Sequence, residues 1–239
     1  MNVVDTLLEV RVTHPADADA AQAGGADRLL VGAPGSGGFR SPEPVLVSAI
    51  RRATDLPLRA VLRLGDTLST TGAELVRLAG LAGDYVAAGA EGVACGFLDA
   101  DLEIDTEVCA ELVGHAEVPW TFTRAFDQAL DSRRAWRHVA ALPRVDGVLT
   151  AGSALGADTG HESLIEAARA DAVVAGLAIA AGGPRPEHIP WLVRAGVRRL
   201  HLGTAVRPDG SWAKAYTDAG LVRSWRLLLD DSVGRADSA

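Results

Sequence analysis

Apolar and polar positions along the chain fall into two alternating rhythms. Short, largely apolar runs of five to eight residues fall at 7–12, 25–31, 58–64, 91–98, 119–123, 145–150, 177–181 and 197–202. Each has the length and composition of a strand. Between them lie longer stretches with apolar residues three and four apart, predicting helices at 15–24, 44–50, 73–88, 105–115, 131–142, 162–172, 186–195 and 212–229. Thr13-His14-Pro15 supplies an N-cap and a first-turn proline for the first helix. Ala23-Gly24-Gly25-Ala26, Ala88-Gly89-Ala90 and Ala195-Gly196-Val197 stand at helix ends, where glycine takes the left-handed conformation. Gly32 to Pro44, with Gly35, Gly37 and Gly38, reads as a long loop, and the tail from Ser232 as frayed.

Strand then helix recurring about every 30 residues along 239 predicts a parallel sheet, and closure into a single (β/α)8 TIM barrel is the simplest architecture. The expected domain spans 1–231, with 232–239 as tail. An open doubly wound sheet is the alternative, weakened because no G-x-G-x-x-G follows the first strand.

Composition narrows the function classes. A net charge of −8 argues against nucleic acid or an anionic membrane as the main partner. No apolar run reaches membrane-spanning length and the N-terminus lacks the pattern of a signal peptide, so a cytoplasmic protein is expected. Cys95 and Cys109 make no disulfide framework. Lys214 is the only lysine, which leaves little room for Schiff-base chemistry and makes arginine the cation available to a ligand.

In a TIM barrel, chemistry gathers at the carboxyl ends of the strands. The stretch Trp120-Thr121-Phe122-Thr123-Arg124-Ala125-Phe126-Asp127 is the most informative there: a strand that runs out into a cation and a carboxylate. Arg124 and Asp127 face a ligand, or pair with each other and cap the next helix. Around them the strand ends offer Glu9, Arg11, Arg63, Thr123, Thr150 and His201. Glu9 and Arg11 share a face by period-two alternation, and a buried Glu9 needs a cation such as Arg63 or Arg11. Glu9 or Asp127 is a candidate acid or base, His201 an assisting base or a hydrogen-bonded core residue, and Arg63 and Arg124 are candidate anion clamps. Gly152 follows strand six, Gly182 and Gly183 strand seven, and Gly203 and Thr204 strand eight; their backbone N–H groups suit a phosphate or carboxylate.

With these residues assembled, the chain resembles the CutC family over roughly residues 7–230. Leu7-Leu8-Glu9-Val10 is similar to the family's opening strand, and Gly25-Ala26-Asp27-Arg28 matches a second block. Phe122-Thr123-Arg124-Ala125-Phe126-Asp127 is similar to F-H-R-A-F-D, with Val148-Leu149-Thr150, Ala181-Gly182-Gly183 and His201 coming after it in order. The resemblance implies a TIM barrel, a role in copper handling and a homodimer. Arg11 and Gly32 stand where family members often have cysteines, Leu30 replaces a glutamate and Thr123 the motif histidine. Copper(I) prefers sulfur ligands, for which this chain has only Cys95, Cys109 and Met1. Two functions are therefore expected: a CutC-like copper homeostasis protein with weak copper binding, or a lyase or isomerase acting on a small anionic substrate.

Overall fold

The computed structural model describes residues 6–35, 38–213 and 216–238; Met1, Gly37 and Lys214 lie outside the described residues. Eight parallel strands close into a barrel: β1 Leu7–Val12, β2 Arg28–Val31, β3 Leu58–Val61, β4 Gly92–Cys95, β5 Trp120–Phe122, β6 Val145–Thr150, β7 Ala178–Ala180 and β8 Arg199–Leu202, with β1 paired to both β2 and β8. Helices α1 Pro15–Gly24, α2 Pro44–Arg51, α3 Gly72–Ala87, α4 Thr106–Ala116, α5 Ser132–Ala140, α6 Ala157–Ala170, α7 Ala172–Leu177, α8 Ile189–Arg194 and α9 Ala219–Asp237 surround it. The TIM barrel is therefore the fold, and no helix among the described residues is long and apolar enough to cross a membrane.

Alternation along each strand divides the molecule into two interiors. On β1, Leu8, Val10 and Val12 point outward into the large core shared with the helices, all fully buried, as do Trp120 and Phe122 on β5. The inward set contains a small apolar cluster, Leu30, Val61, Ala94, Leu149, Ile179 and Ala181, and beside it a chain of charged groups.

Several boundaries move. The loop after β2 contains an antiparallel hairpin, Ala33–Gly35 with Gly38–Arg40. The helix expected at 186–195 is a 3-10 turn, Pro186–His188, followed by α8, and residues just before β7 form the short α7. The last helix starts at Ala219, capped by the Asp218 side chain, rather than at 212. The expectation of a frayed tail from Ser232 is corrected, because α9 continues to Asp237. Ser232 is buried against the body, its hydroxyl donating to the Leu228 carbonyl, and Arg198 holds Asp237.

Candidate active site at the barrel mouth

Strand register places Glu9 level with both Arg28 on β2 and His201 on β8. The fully buried Glu9 carboxylate accepts from Arg28 Nε at 2.6 Å and from His201 Nδ1 at 2.7 Å. Burial alone would raise its pKa, but Arg28 and the His201 hydrogen bond outweigh that and hold the carboxyl well below the usual range. The expected pairing of Glu9 with Arg63 or Arg11 is corrected. Arg63 spans its own loop, donating to the carbonyls of Gly65 and Asp66 at 3.0 and 2.7 Å, and Arg11 stands one layer higher.

Below Glu9 the polar chain continues toward the opposite end of the barrel. Arg28 donates to Thr121 Oγ1 at 3.4 Å and lies 3.6 Å from Asp146, which also accepts from Thr121 and pairs with Arg59. Gly92 makes this possible, because a Cβ there would occupy the space of the Arg59 guanidinium. Arg28, Arg59, Asp146 and Arg199, which donates to the Asp146 carbonyl, were not among the expected site residues. Each begins a strand or lies near its start, away from the carboxyl ends where barrel chemistry gathers; alternation alone would have turned Arg28 and Arg59 inward.

His201 is the focal group. It is almost fully buried, and because a carboxylate holds Nδ1, that nitrogen carries the proton and Nε2 presents a lone pair. Nε2 is buried and has no hydrogen-bond partner. Burial, then the Arg11 charge, lower the affinity of the ring for a second proton against the pull of Glu9, so it is neutral at physiological pH. The geometry is that of an oriented general base.

His201 lies at the base of a cleft of about 140 Å3 lined by Arg11, Arg124, Gly182, Gly183, Gly203 and Thr204 among others. Arg11 and Arg124 also line a neighbouring lobe of about 410 Å3 with Arg63, Thr123 and Gln128. Arg11 lies with its guanidinium carbon 4.1 Å from the Phe39 ring centroid, and its Nε is buried without a partner. Burial and the neighbouring Arg124 bring its pKa down to about 10, which leaves it a cation at neutral pH.

Arg124 is built into place. Its Nε donates to Asp127 at 2.8 Å and its Nη2 to the Ser153 and Ala154 carbonyls. Asp127 in turn accepts from Thr150 Oγ1 at 2.6 Å and from the Ala151 N–H. Both Asp127 oxygens are thus occupied, which makes it the residue that positions Arg124 rather than an acid or base. Gly182, with φ +72°, leaves the space the guanidinium fills; a Cβ there would come 2.8 Å from Arg124 Cζ. Thr150 serves Asp127 and the Gly152 N–H. Gly152 packs so closely on Gly160 that a Cβ would lie 2.1 Å from its carbonyl oxygen, so Thr150 and Gly152 shape the loop and do not line the mouth. Thr123 lines the larger lobe and caps the 3-10 turn carrying Arg124, accepting from the Ala125 N–H at 3.5 Å.

Asp127→Asn is expected to keep the bonds to Thr150 and Ala151 through its carbonyl while losing the charge that orients Arg124. Anion affinity measured by titration calorimetry should fall about tenfold, the order of one charge-assisted hydrogen bond, with the melting temperature little changed. Unchanged affinity would remove Arg124 from the binding set.

The chemistry of the cysteines does not suit copper(I). Both thiols lie in the core between barrel and helices; burial, then the neighbouring Cys109, push Cys95 well up, and burial pushes Cys109 up to about 12. Neither lines the mouth, and among the described residues no three His, Cys, Asp or Glu side chains are placed to hold a metal.

Comparison with known proteins gives a consistent result. A model of the CutC family matches residues 6–206. A "family protein CutC" of Klebsiella pneumoniae subsp. pneumoniae is 32% identical over 198 residues, covering 82% of this chain and 78% of its own. The human "copper homeostasis protein cutC homolog" is 33% identical over 154 residues, covering 61% of this chain and 54% of its own. Among solved structures, CutC from Streptococcus agalactiae superposes with a TM-score of 0.72 at 18% identity, over 83% of this chain and 98% of that one.

Proposed function

The chain belongs to the CutC family of copper homeostasis proteins, and from that premise we propose that its barrel mouth binds a small anionic molecule and performs acid–base chemistry on it, as a lyase or isomerase does. One observation carries the reading: the buried, unpartnered Nε2 of His201, with Nδ1 fixed by Glu9 and two arginines at its side. A buried lone pair without a partner is costly in a purely structural histidine.

Arg11 and Arg124 hold the anion. His201 Nε2 takes a proton from the carbon next to a carbonyl or carboxylate: the C–H bond breaks, an N–H bond forms, and the electron pair moves onto the oxygen facing the arginines. Glu9 stabilises the imidazolium, which returns the proton to the product. Arg63 borders the site from its own loop and contributes field rather than a direct clamp.

Copper is the competing reading, and the donor set speaks against a thiolate site. In a copper(I) titration followed by native mass spectrometry, Cys95→Ser and Cys109→Ser are expected to leave any copper stoichiometry unchanged; loss of tight binding in either variant would restore the thiolate site. For the anion reading, inorganic phosphate or small carboxylates should raise the melting temperature, and Arg11→Ala and Arg124→Ala should each weaken that binding about tenfold or more. Equal affinity in both variants would remove its basis.

A further inference from the structure

The mouth has two lobes of unlike character that share Arg11 and Arg124. The smaller is lined by no carboxylate. Its wall is the glycine turns after β7 and β8, and Gly183 has open space where a Cβ would stand. Two guanidinium groups and the backbone of the turns converge there from different sides, while the Nε2 lone pair of His201 faces the substrate's proton rather than the anion. A tetrahedral dianion meets such a set better than a planar carboxylate, because its three free oxygens reach partners in several directions.

The larger lobe is apolar at its floor. Leu30, Val61 and Leu149, members of the cluster inside the barrel, form it, with Leu68 and Phe39 beside them. Phe39 meets Trp212 edge-on at 4.8 Å between ring centroids, and Trp212 lies beneath the guanidinium of Arg207 at 4.0 Å. This aromatic contact joins the hairpin after β2 to the loop after β8 and walls the cleft on the β1 side. A bare inorganic anion would leave the apolar floor in contact with water.

We infer that the ligand is a phosphate monoester with a compact apolar body, its phosphate in the glycine-walled lobe and its body over Leu30, Val61 and Leu149. This rests on the anion reading above and adds the identity of both ends. It also places the reacting carbon beside His201 in the smaller lobe, next to the two arginines that both lobes share.

The test is titration calorimetry of the full chain with inorganic phosphate, phenyl phosphate and benzoate. Phenyl phosphate is expected to bind at least tenfold more tightly than either of the others, and Leu68→Ser to narrow its advantage over inorganic phosphate severalfold. Equal affinity for phenyl phosphate and inorganic phosphate would overturn the apolar end while leaving the anion reading standing. Benzoate matching phenyl phosphate would overturn the phosphate end in favour of a carboxylate. Binding of none of the three would overturn this inference and the anion reading together.

Discussion

Arg28→Met is expected to lower the stability of the protein by about 3–5 kcal/mol, the cost of stranding a buried charge by removing its partner. Glu9 is fully buried and the Arg28 side chain nearly so, and without Arg28 the carboxylate would keep its hydrogen bond from a neutral His201 but no directly paired cation. The pH dependence has a definite sign. The Glu9 carboxyl is held below its ordinary value in the folded protein, so its contribution is present above the unfolded carboxylate range, near pH 4.3, and is lost as pH falls below it. His201, also lowered, works in the same direction: its contribution is present above about pH 6.5 and declines as pH falls through the folded value. Wild type should therefore lose stability on the acid side, and the Arg28→Met deficit, read from urea midpoints, should be largest near neutrality and shrink toward pH 4. The double variant Arg28→Met/Glu9→Gln should recover part of the loss. A deficit below about 1 kcal/mol at pH 7, with unchanged acid sensitivity, would show that the pair is not what balances Glu9.

The second large effect concerns proton transfer. Given a bound anion with an exchangeable C–H, wild-type protein in D2O is expected to catalyse its exchange, and His201→Asn to slow that exchange by about 10²–10⁴-fold, the span of a positioned base. Asparagine keeps a donor for Glu9, so the fold should survive, and NMR reads both the ligand signal and the folded spectrum. Glu9→Gln should fall between the two, because an amide can hold the ring but cannot stabilise the imidazolium. Exchange at the wild-type rate in His201→Asn would leave the histidine as a core residue and end the acid–base reading.

The eightfold strand and helix rhythm was legible because period-two and 3.6-residue patterns are local properties. The same holds for the shared face of Glu9 and Arg11 and for the pairing of Arg124 with Asp127 three residues on. What was not legible was partnership. Glu9 could have met any of several arginines, and the stagger between β1 and its two neighbours, which no local pattern encodes, selected Arg28 and His201. Asp127 read as a possible base because a carboxylate at a strand end looks alike in either role. Only its contacts with Thr150, Ala151 and Arg124 show it saturated. Phe39 escaped notice inside a glycine-rich stretch that read as loop and proved to carry a hairpin.

Glu9 and His201 stand 192 positions apart and touch only across the seam where the first strand meets the last. Asp17 and Arg207, 190 positions apart, stitch the same seam from outside the ring. At about 5–20 residues per second, a ribosome needs roughly 10–40 s after making Glu9 to deliver its histidine. Through that interval the newborn first strand carries an acidic side chain with no ring to enclose it, which discourages strand-to-strand association with neighbouring chains. No half-barrel fragment can possess the dyad, so the Glu9–His201 contact is itself a report that the first strand has met the last and the ring has closed.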